Sequence, residues 1–376
     1  MPESLVRLRN RLSRSIAGML PIVLVLMFPV VACAAPEVHL DQSKLPNGCS
    51  SCHKAHGRRG TAMLSMDKND LCFSCHGAVK TGKPGEAAND VQTVFDKIYR
   101  HPVSTTAIYH RYNETLPEHD PTKDRHVICE DCHNVHRVAQ YDAMRMVSGY
   151  TSDRVTVKRA VFEYEVCYKC HSDSANLPAD SRNMRLEFSS ANPSYHPVET
   201  IGRSGNMPSL IAGYGPNSMI KCTDCHGNDD PVGAKGPHGS NNPNLLVGAY
   251  SLTDGPETPI AYELCYRCHE RTSLLANASF KKHQEHIEGK SGSATTNFIP
   301  VPLSCFSCHA SHGSTLYPRL ISFNPLVITP SQGGLLTYEL DSSGLGKPRC
   351  NLTCHNVEHH VDGVSQIVGG VAIPSY

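Results

Sequence analysis

Apolar residues are unevenly distributed along the chain, and one stretch lies close to its start. It runs from Ile16 to Val31, follows a segment with four arginines, and ends among small residues around Cys33. It is short for a membrane-spanning helix and two prolines interrupt it. Residues 1–33 are therefore predicted to form an export signal, either cleaved or of the lipoprotein type with Cys33 as the acylated residue.

A second apolar pattern lies in residues 87–99 and has the spacing of a helix face. Its apolar positions are Val91, Val94, Phe95 and Ile98. Asn89 or Asp90 could cap the start, and Pro102 limits the end. The pattern predicts an amphipathic helix that delivers His101 at its end.

The rest of the chain carries few periodic patterns, and 26 prolines and 28 glycines favour short helices joined by long loops. Hydrophobic residues make up 39% and aromatic residues 6%, and there is no Trp. The expected fold is mostly coil with short α-helices and little β structure. Because an apolar side-chain core would be thin, something else must fill the interior.

The 17 cysteines suggest what fills it. Sixteen form eight pairs, each followed directly by histidine, and we number these motifs 1 to 8 in chain order. Seven are Cys-x-x-Cys-His, and motif 8 has one extra residue between its cysteines. The pairs are Cys49/Cys52, Cys72/Cys75, Cys129/Cys132, Cys167/Cys170, Cys222/Cys225, Cys265/Cys268, Cys305/Cys308 and Cys350/Cys354.

This spacing is the attachment signal for c-type haem. Two thiols add to the two vinyl groups, and the adjacent histidine is held on one face of the ring to ligate iron. Zinc sites and disulfides are the structural alternatives, but neither requires a histidine after every pair. The sequence predicts eight covalently attached haems, with motif ligands His53, His76, His133, His171, His226, His269, His309 and His355.

Fourteen further histidines are available for the second axial position, whereas no Met follows Met219 although three motifs do. A bis-histidine set is therefore expected. His119, His110, His39 and His126 lack a repeated context and were assigned no ligand role. The candidates are His56, His101, His136, His196, His238, His286, His312 and His359, with His283 and His360 left open as alternatives to His286 and His359.

Repeated contexts support these candidates. His136 and His312, like His56, follow a motif histidine by three residues, and His101 and His196 both precede Pro-Val. The His-x-x-His type is expected to ligate the neighbouring haem of the same pair. The motifs thus predict an array of haem pairs. Each haem pair is assigned one segment of the chain, and the four segments are residues 34–104, 105–200, 201–290 and 291–376.

The chain has a formal net charge of zero. Without residues 1–32 it keeps 31 basic and 34 acidic residues, because Arg7, Arg9, Arg11 and Arg14 are lost against Glu3. Haem propionates would add further negative charge. A negative surface excludes nucleic acid as the expected partner and favours cationic partners or oxidised metal species.

These motifs resemble the multihaem c-type cytochromes with doubled Cys-x-x-Cys-His motifs of metal-reducing bacteria. The resemblance spans residues 49–360, and its most specific feature is Cys-His-x-x-His-Gly at His53/His56 and His309/His312. It implies an elongated cytochrome whose closely packed bis-histidine haem pairs form the core. Motif 5 lacks the His-x-x-His form and motif 8 is stretched, so both depart from the family pattern.

The first functional hypothesis is an electron conduit and not an enzyme. It is exported and either periplasmic, attached to the outer membrane or extracellular, and Cys33 is a candidate lipid anchor. Expected partners are periplasmic cytochromes, outer-membrane porin-cytochrome components or extracellular metal acceptors. The second hypothesis is a multihaem reductase with one open iron, although no motif has Lys in place of His. The third is a homopolymeric conductive filament.

Overall fold

The structure is a computed structural model. It describes residues 37–45, 47–54, 63–77, 90–103, 115–122, 126–289, 301–340, 348–360 and 365–367. These belong to one compact unit, Pro36–Tyr376. The predicted export signal, including Cys33, lies outside the described residues, as do His56 and His110.

Helices are short throughout the described residues, and the longest have nine residues. Two 3-10 turns cover Gly48–Ser51 and Pro243–Leu245. The α-helices are α1 (Lys68–His76), α2 (Gln92–Phe95), α3 (Cys129–Cys132), α4 (Glu163–His171), α5 (Met184–Glu187), α6 (Cys222–Cys225), α7 (Glu263–Tyr266), α8 (Arg271–Leu275), α9 (His283–Glu288) and α10 (Cys305–Cys308).

Strands are equally short. They are β1 (Tyr99–Arg100), β2 (Gly149–Tyr150), β3 (Thr156–Val157), β4 (Ser194–Tyr195), β5 (Gly239–Ser240), β6 (Gly313–Ser314), β7 (Ile328–Thr329), β8 (Thr337–Glu339), β9 (Arg349–Cys354), β10 (Val357–His359) and β11 (Ser365–Ile367). Antiparallel pairs join β1 to β5, β2 to β3 and β4 to β6. A five-stranded sheet has the order β11-β10-β9-β7, with β8 also paired to β9. The prediction of short helices, little strand and mostly irregular chain is confirmed.

The helix predicted over residues 87–99 is largely wrong within the described part of that range. Only α2 is helical, with Val94 and Phe95 buried, while Ile98 is 72% exposed. The N-cap residue of α2 is Val91 and neither Asn89 nor Asp90, although the Asp90 carboxylate accepts a hydrogen bond from the Thr93 amide at 3.2 Å. Residues after α2 form β1 and pair with β5, and this long-range ladder outweighs local helical spacing.

The first motif of each pair folds as a single turn, after which the motif histidine is extended. In α3 and α6 the residue before the second cysteine closes the turn. The Asp131 carboxylate accepts from the Ile128 amide at 2.8 Å, and that of Asp224 accepts from the Lys221 amide at 2.7 Å. In α10, Ser304 caps the turn instead, accepting from the Ser307 amide at 3.2 Å. The sequence of the motif itself therefore builds its turn.

Apolar clusters among the described residues are small, and each contacts motif cysteines. One cluster contains Tyr150, Tyr164, Tyr168, Phe188 and Val198, and Cys222 packs against it. The other contains Leu303, Ile328, Leu352 and Cys354, with Cys308 and Cys350 at its edge. Residues of the haem motifs therefore take part in what apolar core there is.

Candidate haem sites

In space, the cysteines of each motif lie beside those of the next motif along the chain. Between pairs of motifs, thiols are in hydrogen-bond contact: Cys72 with Cys129, Cys167 with Cys222, and Cys265 with Cys305. Within pairs, burial raises the pKa of one thiol and a nearby thiol of the other motif raises it further: Cys75 acts on Cys52, Cys132 on Cys170, Cys268 on Cys225, and Cys354 on Cys308. The eight motifs thus form one unbroken series from motif 1 to motif 8.

Sixteen of the described histidines face one another in eight pairs. The ring centroids are separated by 6.0 to 6.5 Å. The pairs are His53–His136, His76–His39, His133–His238, His171–His101, His226–His312, His269–His196, His309–His283 and His286–His359. Seven of the pairs contain one motif histidine each.

This separation fits a metal held between two imidazoles. A metal–imidazole bond is about 2.0–2.1 Å, so two such bonds plus the distance from each nitrogen to its ring centre add up to roughly 6 Å. Within the described ranges, no three His, Cys, Asp or Glu side chains converge as a metal site built only from protein would require. The donor arrangement therefore fits haem, whose ring supplies the remaining ligands.

Hydrogen bonds fix which ring nitrogen faces the partner. The Nδ1 atom of His101 bonds the Pro237 carbonyl at 2.6 Å, and that of His226 bonds the Asn244 carbonyl at 2.8 Å. The same Nδ1 contact with a carbonyl occurs at His39, His133, His196, His286 and His309. An Nδ1–H that donates to a carbonyl leaves Nε2 unprotonated, as a metal ligand must be.

Burial also favours the neutral form of several facing rings. It lowers the pKa of His171, His238 and His269 to about 4, with smaller contributions from neighbouring histidines. For His283 and His312, burial lowers the pKa to about 3. Since protons and metals compete for the same nitrogen, a depressed pKa favours the ligand form at neutral pH.

Two strand pairs, β1–β5 and β4–β6, position four of the histidines. The β1–β5 ladder brings His101 beside His238, and the β4–β6 ladder brings His196 beside His312. In both ladders, a strand that leads into His-Pro-Val pairs antiparallel with the Gly-Ser of a His-Gly-Ser segment. The two histidines of each ladder face the two motifs of one pair: motifs 4 and 3 for the first ladder, and motifs 6 and 5 for the second.

The glycine and serine of these segments have structural reasons. A Cβ at Gly239 would overlap the Val94 carbonyl oxygen, and one at Gly313 would overlap that of Glu187. The buried Ser314 hydroxyl donates to the Ile321 carbonyl at 2.5 Å, and the Ser240 hydroxyl makes the equivalent bond at 2.7 Å. The close approach of the backbones at these two positions therefore requires glycine after each histidine, and the following serine provides a buried hydrogen bond.

The partner histidines come from other segments than the sequence suggested. His136 was predicted to ligate the neighbouring haem of its own pair, yet it faces His53 of the preceding segment. His312 likewise faces His226 of the preceding segment. For His312 the reason is the β4–β6 ladder, which places its ring through a pairing with a distant segment.

His39 is a histidine for which the sequence predicts no iron within its own chain. It faces His76 at 6.0 Å because its segment pairs with residues after motif 3. The Val38 amide donates to the Val138 carbonyl at 3.0 Å, and the His39 Nδ1 bonds the Val135 carbonyl at 2.7 Å. No local motif marks His39, so its pairing with His76 could not be predicted from residue spacing. His283, an open alternative, faces His309. His119, His126, His355 and His360 are outside the eight pairs.

Comparison with protein families agrees with this geometry. The doubled CXXCH motif family matches residues 44–81. The family described as outer membrane cytochrome MtrC/MtrF-like, domains II/IV, matches residues 156–319. Comparison with curated proteins and with solved structures gives no match.

The motifs and these matches define a multihaem c-type cytochrome that carries electrons through covalently bound haem. More particularly, the chain is a cytochrome of the doubled-CXXCH type found in metal-reducing bacteria. Within the described ranges, no helix has both the length and the apolar character that a membrane crossing requires.

Proposed function

We propose that the protein is an octahaem electron conduit in which two histidines ligate each iron. The observation that carries this proposal is the unbroken series of neighbouring thiols from motif 1 to motif 8, together with eight facing histidine pairs. A series of adjacent attachment sites is what transfer of electrons along a chain requires. The bound haems would supply one-electron redox chemistry, and the protein supplies their order and axial ligands.

Seven ligand sets follow from the facing rings, each with the motif histidine named first. They are His53/His136, His76/His39, His133/His238, His171/His101, His226/His312, His269/His196 and His309/His283. Six of the second ligands come from a different segment than their motif does. Haem binding would therefore link the segments together, and stability is expected to depend on it.

Paired histidines favour a carrier over an enzyme. A reductase needs an iron with an open position, whereas both faces are covered in these seven sets. The match to an outer-membrane cytochrome family supports acceptors at or beyond the outer membrane, and partner cytochromes there. A lipid anchor at Cys33 and a filament of repeated copies both remain extensions of this proposal.

The first test is the number and spin state of the haems. The mature holoprotein should give eight haems by pyridine haemochrome assay, and its oxidised form should show only low-spin signals in electron paramagnetic resonance. Two histidine ligands produce a strong field at each iron, which is why low spin is expected. One high-spin haem that binds nitrite or cyanide in the native protein would instead identify an enzyme.

A second test uses His39, whose role rests on the structure alone. His39→Ala should open one iron, so that one haem of eight becomes high spin and binds carbon monoxide when reduced. The exposed His119 is outside the facing pairs, and His119→Ala is the matched control with no expected change. If His39→Ala keeps all eight haems low spin, the pairing of His39 with motif 2 is wrong.

A further inference from the structure

Motif 8 is built on a different element from the other motifs. Motifs 1 to 7 lie on helices or on a 3-10 turn, whereas Cys350 and Cys354 both lie on strand β9. Alternate residues of a strand point to the same face. Residues 350, 352 and 354 therefore share one face of β9, and the extra residue in this motif is what places both thiols on it.

His359 lies on that same face. In the β9–β10 ladder, His359 is directly opposite Leu352, and directly opposite residues of an antiparallel pair point to the same side. Leu352 is buried in the cluster that includes Cys354, with Cys350 packed against it. The motif thiols and His359 thus occupy a common face of the sheet.

His355, the histidine of the motif, leaves this face. It follows the end of β9 in a tight turn with φ +45°, and Asn356 continues the turn with φ +62°. Its Nε2 contacts the Asp254 carboxylate at 2.8 Å. In His133, His226 and His309, by contrast, Nδ1 makes the hydrogen bond and Nε2 faces another ring.

The partner of His355 is firmly held. Asp254 also accepts from the Ser304 amide at 2.7 Å and from the Ser307 hydroxyl at 2.5 Å, and only 8% of its side chain is exposed. Burial alone would raise its pKa, but these hydrogen bonds and that of His355 hold the pKa below its ordinary value. His355 therefore joins the turn after β9 to the start of α10, which carries motif 7.

His286 faces His359 in the same way that the second histidine of each other pair faces its motif histidine. His286 and His359 have ring centroids 6.2 Å apart, within the range of the seven pairs that contain a motif histidine. The His286 Nδ1 donates to the Lys282 carbonyl at 2.7 Å, which leaves Nε2 for a metal. The His286 carbonyl accepts from the Leu303 amide at 2.7 Å, and Leu303 packs in the cluster with Leu352 and Cys354.

Helix α9 repeats the arrangement of the two strand ladders. His283 and His286 lie one turn apart and on the same side of α9. His283 faces His309 of motif 7, as one histidine of each ladder faces the first motif of a pair. By that pattern His286 should serve the haem of motif 8, the second motif of the same pair. The ring that faces His286 is that of His359.

We propose that His286 and His359, and not His355, are the axial ligands of the haem attached at motif 8. His355 is then a positioning residue that binds Asp254. The inference rests on the proposed function, since it requires a haem at motif 8. It assigns the iron ligands of one haem to two residues outside its attachment motif.

The test replaces the proposed ligands by methionine in the full-length holoprotein. His359→Met and His286→Met should each keep eight haems and convert one of them to His/Met ligation, seen as the near-infrared sulfur-to-iron charge-transfer band of the oxidised protein. The double variant should convert one haem to Met/Met ligation and not two haems to His/Met, because both side chains bind the same iron. His360→Met is the matched control, since the His360 ring is outside the facing pairs and its Nε2 contacts Glu358 at 3.7 Å.

An unchanged bis-histidine spectrum in either single variant would overturn the assignment, as would a charge-transfer band in His360→Met. Two separate His/Met haems in the double variant would show that His286 and His359 bind different irons. If a variant fails to fold, His359→Ala provides the same information through one high-spin haem. A wild-type protein with fewer than eight haems would contradict the proposed function itself, independently of these variants.

Discussion

Gly313→Ala should unfold the junction between motifs 5 and 6 although it adds a single methyl group. The new Cβ would overlap the Glu187 carbonyl oxygen and would also lie 3.3 Å from that of Ser194, both of them backbone atoms that cannot rotate away. The β4–β6 ladder would have to open, and His196 and His312 would leave their facing rings. Forced overpacking of this kind costs about 3 kcal/mol.

The expected result is a lower denaturation midpoint and two haems of eight that lose low-spin character. Guanidinium unfolding followed by Soret absorbance would give the stability, and electron paramagnetic resonance would give the spin states. Gly205→Ala is the matched control, because no atom lies within 4 Å of a Cβ at that position. Equal stability of the two variants would show that the β4–β6 ladder does not require the close approach seen at Gly313.

Some features of the haem sites could be predicted from the sequence, whereas the ladder around Gly313 could not. The attachment motifs are local, so their positions and the short helices that carry them followed directly from residue spacing. His101 and His196 were recognised as candidate ligands because both precede Pro-Val, and His312 because it follows a motif histidine by three residues. His238 was recognised by its place in the third haem pair. The sequence did not show which motif histidine each of these candidates faces.

Pairing depends on contacts between distant segments. The His101 ring is oriented by the Pro237 carbonyl, 136 residues away, and the His196 ring by the Ser311 carbonyl, 115 residues away. No periodicity within either segment encodes these contacts. For the same reason the pairing of His39 with His76 was not predicted, and the helix predicted over residues 87–99 ends early and is followed by strand β1. Local patterns specify where a haem attaches, and long-range ladders specify which second histidine it meets.

His101→Met should turn the middle of the chain into an electron trap. In the proposed ligand sets His101 serves the haem of motif 4, which lies between motifs 3 and 5 in the series of thiol contacts. Replacing an imidazole by a thioether raises the reduction potential of a c-type haem. A shift on the order of 0.1 V is expected, a fraction of the roughly 0.8 V that axial ligands can span. Since 59 mV corresponds to a tenfold change for one electron, escape from this haem should slow by roughly 50-fold.

Potentiometric titration followed by absorbance should therefore show one component moved to higher potential, with the other seven unchanged. Stopped-flow reduction from a limiting amount of donor should leave the first electron on that haem, recognisable by its His/Met spectrum, and transfer to an added acceptor should be slower by the factor above. His119→Met serves as the control, because an exposed histidine outside the facing pairs should change neither quantity. A shifted potential with an unchanged transfer rate would mean that electrons can bypass motif 4, and the eight sites would then form a branched network and not a single line.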